Sequence, residues 1–146
     1  MNTDAQIRHI HEQWHEAILA KDLPGLIALY AQDAIFESPA VWVLNRQSDG
    51  ILRGRDAIEA YFTTFFSKRK PNAVEWQRDG TFFSNGKLLT WEYPRQTPKG
   101  DQTDIVESID MRDGLIAHHR VYWGWVGFEN LMANLEDSAP PAQREN

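Results

Sequence analysis

The sequence predicts an α+β domain in which three N-terminal helices pack on one face of a curved antiparallel sheet. Apolar residues recur at helical spacing in the first part of the chain, whereas short strand-like segments separated by turn residues follow from residue 74 onward. The 146 residues, of which 42% are hydrophobic, are enough for one domain with its own core. Six tryptophans and seven phenylalanines indicate an aromatic-lined core or pocket. We expect an internal apolar pocket, because a curved sheet closed by helices leaves a concave cavity suited to a small ligand.

The first helix is predicted from its cap and its apolar spacing. It begins at Thr3 or Asp4, either of which is a good N-cap, and ends near Ala20. Five apolar residues share one face of this helix: Ile7, Ile10, Trp14, Ala17 and Ile18.

Two further helices are predicted before the sheet. The second begins at Asp22 or Leu23, with Pro24 in its first turn, where proline is tolerated, and it extends to Tyr30. The third covers residues 57–67 after a Gly54-Arg55-Asp56 start. It carries four aromatic residues: Tyr61, Phe62, Phe65 and Phe66.

Short strands account for most of the remaining chain. One is predicted at residues 34–38, ended by Pro39, and residues 41–50 read as a loop or short ribbon. Further strands are predicted at residues 74–78, 80–83 and 88–93. The chain is predicted to form a single domain over residues 1–133, followed by a disordered tail over residues 134–146, which lacks apolar periodicity.

The last hairpin, residues 102–125, is the most informative segment. A three-residue loop at residues 112–114, whose glycine can adopt positive φ, sets Glu107 directly opposite His119 on an otherwise apolar face. A two-residue loop would pair Glu107 with Arg120 and scatter the apolar residues over both faces, which burial disfavours. The apolar pattern therefore predicts a buried Glu107–His119 pair.

Such a pair has two interpretations, which the sequence does not separate. A carboxylate beside an imidazole in an apolar cavity can handle protons. A buried polar pair that only satisfies its own hydrogen bonds would give the same pattern.

Three neighbouring side chains are weighed with the pair. Trp123 shares its face and is expected to wall the pocket, whereas Trp125 is expected to pack in the core. Alternation does not decide the orientation of Glu92. If Glu92 points inward it is a second pocket acid, and if it points outward Trp91 and Tyr93 point inward instead.

Several functional classes are disfavoured by composition. The net charge of −6 argues against nucleic acid as a partner, and the absence of cysteine excludes a disulfide or a thiol nucleophile. We find neither a Gly-x-Ser-x-Gly motif nor a glycine-rich phosphate loop. No segment resembles a signal peptide or reaches transmembrane length, so we expect a cytoplasmic protein without a membrane partner.

Residues 11–15, HEQWH, match the H-E-x-x-H pattern of zinc proteases. The motif lies close to the N-terminus, and the residues that follow it do not match the glycine and third histidine of the extended motif of one such protease class. We therefore interpret it as a boundary helix face with Trp14 directed into the core, and we expect no metal and no cofactor.

Three segments resemble a known family. Residues 29–39, LYAQDAIFESP, are similar to a helix-to-strand signature, residues 50–58, GILRGRDAI, to the start of a third helix, and the final hairpin to one ending in Tyr122-Trp123. Together they resemble the NTF2-like superfamily, in its SnoaL-like and ketosteroid-isomerase-like branch, over about residues 7–130. The resemblance implies an NTF2-like (cystatin-like) cone of curved antiparallel sheet closed by three helices, often dimeric through the sheet, so we expect a homodimer. Family members include isomerases, epoxide hydrolases, polyketide cyclases, dehydratases and non-enzymatic binders.

The resemblance carries over only partly to individual residues. Trp14 stands where steroid isomerases have a tyrosine donor, and Ser38 stands where they have an aspartate base, with Glu37 one residue earlier. Glu107 matches their neutral acid, and His119 replaces an apolar residue. Steroid isomerisation is therefore disfavoured, and another proton transfer, such as dehydration, cyclisation or hydrolysis by an activated water, is expected.

The leading hypothesis is an enzyme acting on a small, largely apolar organic molecule, with His119 as general base or acid and Glu107 orienting it. The alternatives are a binding module with the same pocket but no chemistry, and a structural dimerisation domain. The residues predicted to bind the substrate are Trp14, Phe36, Ser38, Trp42, Phe62, Glu92, Val121 and Trp123.

Overall fold

The computed structural model describes residues 1–46, 49–68, 74–78 and 80–137, with side chains up to residue 135. The helices are α1 (Asp4–Ala20), α2 (Leu23–Ala28), α3 (Pro39–Asn45), α4 (Arg55–Lys68) and α5 (Trp125–Asp137). The strands are β1 (Tyr30–Glu37), β2 (Ile51–Arg53), β3 (Phe82–Ser84), β4 (Leu88–Tyr93), β5 (Gln96–Thr97), β6 (Gly100–Asp101), β7 (Ile105–Arg112) and β8 (Leu115–Trp123).

Six strands form one sheet in the order β2-β1-β8-β7-β4-β3, and β5 pairs with β6 in a separate ribbon. Every neighbouring pair in the large sheet is antiparallel except β1 and β8, which are parallel. The α+β class is confirmed. The parallel pair joins strands that are far apart in the chain, with two helices and most of the sheet between them. Local sequence patterns could therefore not predict it.

The first helix begins and ends where the sequence predicts. Thr3 caps it by accepting the N–H of Gln6, and the Gln6 side chain accepts the N–H of Thr3 in return. Ile7, Ile10 and Trp14 on its apolar face are buried against the sheet. This packing fixes the position of Trp14, which contacts the candidate site described below.

Two predictions for the first half of the chain are wrong. Tyr30 opens strand β1 and does not end a helix, and residues 39–45 form helix α3 in place of the predicted loop. Helix α3 forms because Ser38 Oγ accepts the N–H of Ala40 and Pro39 supplies a first-turn φ.

The second half also departs from prediction at its ends. Residues 74–78 are not a strand, and the predicted strand at 80–83 is found as β3, beginning at Phe82. Helix α5 continues to Asp137, so residues 134–137 are helical and were wrongly predicted as disordered, whereas residues 138–146 lie outside the described part of the chain. Trp125 is 61% exposed and not in the core. The missed signal is an apolar i, i+3, i+4, i+7 series: Phe128, Leu131, Met132 and Leu135.

The predicted three-residue loop of the last hairpin is also wrong. The turn has two residues, Asp113 and Gly114, both with positive φ, and Arg112 pairs with Leu115. Two positive φ values at the turn centre match the twist of the flanking strands.

A β-bulge then shifts the register of the same hairpin. Met111 pairs with Ile116 but Asp110 pairs with His118, which leaves Ala117 as the extra residue. The turn and the bulge together move the pairing by two positions relative to prediction. Beyond the bulge this shift of two keeps Glu107 and His119 on the face predicted for them, since side chains alternate with period two. Between the turn and the bulge the shift is only one, so Ile116 pairs with Met111 and is buried.

No helix among the described residues is long and apolar enough to cross a membrane.

Candidate functional site

The predicted contact between Glu107 and His119 is present, although the two residues do not face each other directly. Glu107 pairs with Val121 and Ile109 pairs with His119, so the acid and the imidazole are diagonal neighbours on the inner face of the sheet. His119 Nε2 lies 2.6 Å from Glu107 Oε2. The two side chains are 0% and 3% exposed.

The pair continues into a buried hydrogen-bond chain. An ionised carboxylate only accepts, so Nε2 of a neutral His119 carries the proton and Nδ1 accepts. The Tyr30 hydroxyl donates to Nδ1 at 2.8 Å, and Trp14 Nε1 donates to Tyr30 Oη at 3.4 Å. This chain gives a hydrogen-bond partner to both ring nitrogens of His119, to the Tyr30 hydroxyl and to the Trp14 N–H.

Burial raises the pKa of Tyr30 well above its ordinary value, and the nearby Glu107 charge raises it further. Tyr30 is therefore a protonated donor at any physiological pH. Arg55 Nε fixes the start of β1 by donating to the Tyr30 carbonyl oxygen at 2.9 Å. Sequence reasoning missed Tyr30, because it assigned the residue to a helix.

Aromatic side chains pack closely around the His119 ring. Phe36 meets it edge-on at 5.0 Å between ring centroids, and Trp14 meets it at 5.7 Å. Phe62 packs on both Tyr30 and Phe36. Because Trp14, Phe36 and Phe62 are all at most 5% exposed, the layer around the pair is filled.

An open apolar pocket of about 680 Å³ lies between α3, α5 and the ends of β1 and β8. Four of the predicted binding residues line it: Ser38, Trp42, Val121 and Trp123. The helical part of its wall is apolar and includes Val43, Phe128, Leu131, Met132 and Leu135.

The pocket lies one row along the strands from the buried pair. Phe36 and His119 are register partners, and Ser38 and Val121 are the next residues on the same face of their strands. Two residues of strand span about 6.6 Å. Neither Glu107 nor His119 lines the pocket, but Glu107 pairs directly with the lining residue Val121, whereas His119 lies one row further along the strands.

Ser38 and Trp123 join the two strands at the pocket. Trp123 Nε1 donates to Ser38 Oγ at 3.0 Å, and the Ala40 N–H donates to the same oxygen at 3.2 Å. Trp42 is 41% exposed at the rim, with the Arg46 guanidinium 5.4 Å from its ring centroid.

Glu92 does not line this pocket, and the inward orientation that would make it a second pocket acid is not found. Strand β4 alternates, with Leu89, Trp91 and Tyr93 buried on the inner face. Glu92 therefore points outward, where its carboxylate accepts from Arg78 Nε at 2.7 Å.

The H-E-x-x-H residues form a separate inner cluster. His15 Nδ1 donates to the His11 carbonyl oxygen at 2.6 Å, and the Tyr93 hydroxyl donates to His15 Nε2 at 2.6 Å. Burial lowers the pKa of His11 to about 4, and the nearby His15 and Arg8 add to the effect. Within the described ranges no three His, Cys, Asp or Glu side chains converge as metal ligands.

A second histidine–glutamate pair lies on the outer face of the sheet. His118 Nε2 is 2.8 Å from Glu37 Oε2, and the side chains are 30% and 37% exposed. This outer pair and the inner pair involve consecutive histidines of β8, because neighbouring residues of a strand face opposite sides.

The sequence matches the family model of the SnoaL-like domain over residues 11–119, well over half of the chain. The chain belongs to the SnoaL-like domain family. No curated protein matches the sequence.

Solved structures of this SnoaL-like fold are similar over nearly the whole chain. A SnoaL-like protein of unknown function from Burkholderia thailandensis is 17% identical, with TM-score 0.65, and the match covers 84% of this chain and 98% of the other. A steroid delta-isomerase from Pseudomonas aeruginosa is 20% identical, with TM-score 0.62 and coverage of 92% and 91%. TerC, co-crystallised with polyporic acid, is 16% identical, with TM-score 0.62 and coverage of 88% and 98%. At these identities the likeness establishes the NTF2-like fold and not the activity.

Proposed function

We propose that this SnoaL-like protein is an enzyme that binds a small, largely apolar organic molecule in the α3–α5 pocket and exchanges a proton with it through the Glu107–His119 pair. One observation supports this proposal most. The Glu107–His119 pair is buried and hydrogen-bonded, and it lies about one strand row from an apolar pocket of about 680 Å³. A steroid isomerase and a protein crystallised with a small organic acid among the structural neighbours support a small-molecule role.

Glu107 is proposed as the group that meets the ligand. Its Oε2 is held by His119 Nε2, whereas its Oε1 has no hydrogen bond to any side chain in the described part of the protein. Since Glu107 pairs with the pocket residue Val121, Oε1 is the proton acceptor that lies in the same strand row as the pocket lining. The sequence favoured His119 as the group that exchanges the proton, whereas the strand register, which pairs Glu107 with Val121, favours Glu107.

His119 and Tyr30 are proposed to hold the Glu107 carboxylate in place through hydrogen bonds. The hydrogen bond from His119 Nε2 holds Oε2, which leaves Oε1 to take the α-proton of the ligand. The electron pair of the broken C–H bond stays on the ligand as an enolate, and exchange is completed when Glu107 returns a solvent-derived deuteron to the same carbon. Tyr30 holds His119 in the tautomer that carries its proton on Nε2. Both residues thus act as positioning residues for Glu107.

Ligand binding without chemistry is the second candidate function. His119 is completely buried and both of its ring nitrogens already have partners, as expected of a pair that only stabilises the fold. In that case the pocket alone carries the function.

Hydrogen–deuterium exchange at the α-carbon of small ketones separates the two candidates. We expect the wild type to accelerate exchange of 1-indanone or 2-tetralone in D₂O, followed by ¹H NMR. Glu107→Gln should lower the rate by at least about 100-fold, since an amide is no base. His118→Gln is the matched control, because this neighbouring histidine has its own glutamate on the opposite face.

Exchange at the solvent rate in the wild type, with saturable binding of the same ketones, would favour the binding function. Dimerisation through the sheet and a cytoplasmic location stay predictions of the sequence.

A further inference from the structure

Ser38 lines the pocket in the strand row next to the buried pair, and its hydroxyl is a polar group of that row. It follows β1 directly, caps α3 and is only 5% exposed. Nearby charged residues of the lining are held elsewhere: Glu37 accepts from His118, and Arg120 donates to Asp110 at 2.7 Å. Among the residues that line the pocket, Ser38 is therefore the polar contact offered to a ligand that reaches this row.

The hydrogen bonds that Ser38 already makes leave its hydroxyl free to act only as a donor. A hydroxyl has two acceptor positions and one donor. Backbone N–H and indole N–H groups can only donate, so the bonds from Ala40 and Trp123 occupy both acceptor positions. The hydroxyl proton of Ser38 has no acceptor among the described residues.

A buried donor without an acceptor selects its ligand. A ligand acceptor placed against Ser38 completes its hydrogen bonding, whereas a ligand N–H finds no lone pair there. Discrimination of this kind is strong because it leaves buried polar groups unpaired in the wrong complex.

We infer that the pocket is specific for molecules that present a hydrogen-bond acceptor, such as a ketone or ester carbonyl oxygen, to Ser38 on an otherwise apolar body. Trp123 is the positioning residue for this selectivity, because its indole N–H occupies the lone pair that would otherwise accept from a ligand. The inference rests on the pocket of the proposed function, but it does not require that Glu107 be catalytic.

Three bicyclic probes of similar size test the inference. 1-Indanone offers an acceptor only, indole offers an N–H donor only, and indane offers neither. Titrations followed by ¹H–¹⁵N NMR of the wild type should give 1-indanone a dissociation constant about 3- to 10-fold lower than those of indole and indane. Ser38→Ala should remove this preference, and Ser108→Ala, a serine on another strand of the sheet, should retain it.

Trp123→Phe supplies a reciprocal test that does not depend on the cap of α3. It frees one lone pair of Ser38, so the affinity for indole should rise relative to indane. Equal binding of the three probes to the wild type, tighter binding of indole than of 1-indanone, no binding at all, or a ketone preference that survives Ser38→Ala would each overturn the inference.

The two proposals fail separately. A ketone preference that depends on Ser38, without α-proton exchange, would retain this inference and reject the catalytic function. Exchange that depends on Glu107, with equal affinity for the three probes, would do the reverse.

Discussion

Consecutive histidines of β8 form two histidine–glutamate pairs with nearly the same geometry and very different surroundings. The N–O distances are 2.6 Å for His119–Glu107 and 2.8 Å for His118–Glu37. The inner pair is at most 3% exposed, whereas the outer pair is about one-third exposed. Water screens the outer pair, but the inner pair has only its partners to replace the lost hydration. The comparison shows that burial, and not the choice of residues, makes the inner pair a candidate for proton chemistry.

The largest expected effect comes from breaking each pair in turn. His119→Ala leaves the Glu107 carboxylate buried without its donor and should cost about 3–5 kcal/mol of unfolding free energy. His118→Ala removes a partly exposed pair and should cost less than about 1 kcal/mol. Urea denaturation measures both, and equal losses would contradict the difference in burial.

Tyr30→Phe tests the hydrogen-bond chain behind the inner pair. Loss of the hydroxyl leaves His119 Nδ1 and the Trp14 N–H without partners and should cost about 1–3 kcal/mol. Tyr122→Phe is the control, since Tyr122 is 56% exposed on the same sheet. An equally small loss of unfolding free energy at both positions would show that the Tyr30 hydroxyl does not stabilise the inner pair.

A third histidine sharpens the comparison, because His11 is buried without an acid. Its folded pKa of about 4 lies below the unfolded value of 6.5, so the unfolded state binds more protons between these pH values. Stability should therefore fall as pH drops from about 6.5 to 4, by at most about 3 kcal/mol from this residue. His11→Met should flatten the pH dependence of the unfolding free energy. Part of the slope should persist, because burial also lowers the pKa of His15. An unchanged slope would show that His11 is accessible to protons in the folded state.

The smallest effect is expected at Glu92. Its bond to Arg78 is exposed, so Glu92→Gln should change stability by less than about 1 kcal/mol and leave ligand affinity unchanged. Weaker binding of 1-indanone by this variant would restore Glu92 to the pocket.

Local rules predicted the elements that carry local signals. The N-cap and the apolar spacing of α1 gave the bounds of that helix, and the segments that resemble the family gave the fold. Helix α5 was missed although its apolar spacing was present in the sequence, because residues 126–133 were assigned to no element and residues 134–137 to a disordered tail.

The sequence predicted only those features of the site that follow from the alternation of side chains along a strand. The bulge at Ala117 depends on how two strands fit and is invisible to alternation, yet it left Glu107 and His119 on one face. Tyr30 reaches His119 through the parallel pairing of β1 and β8, which no neighbouring residues encode. Glu92 could not be oriented because both faces of its strand are mixed in polarity.

Proton transfer by the buried pair is tested most directly by the rate of α-proton exchange of 1-indanone, measured for His119→Gln beside His118→Gln. If the buried pair carries proton transfer, the first variant loses most of the exchange and the second keeps the wild-type rate. Equal rates in the two variants, with 1-indanone still bound in the pocket, would contradict the claim and leave the inner pair a structural element.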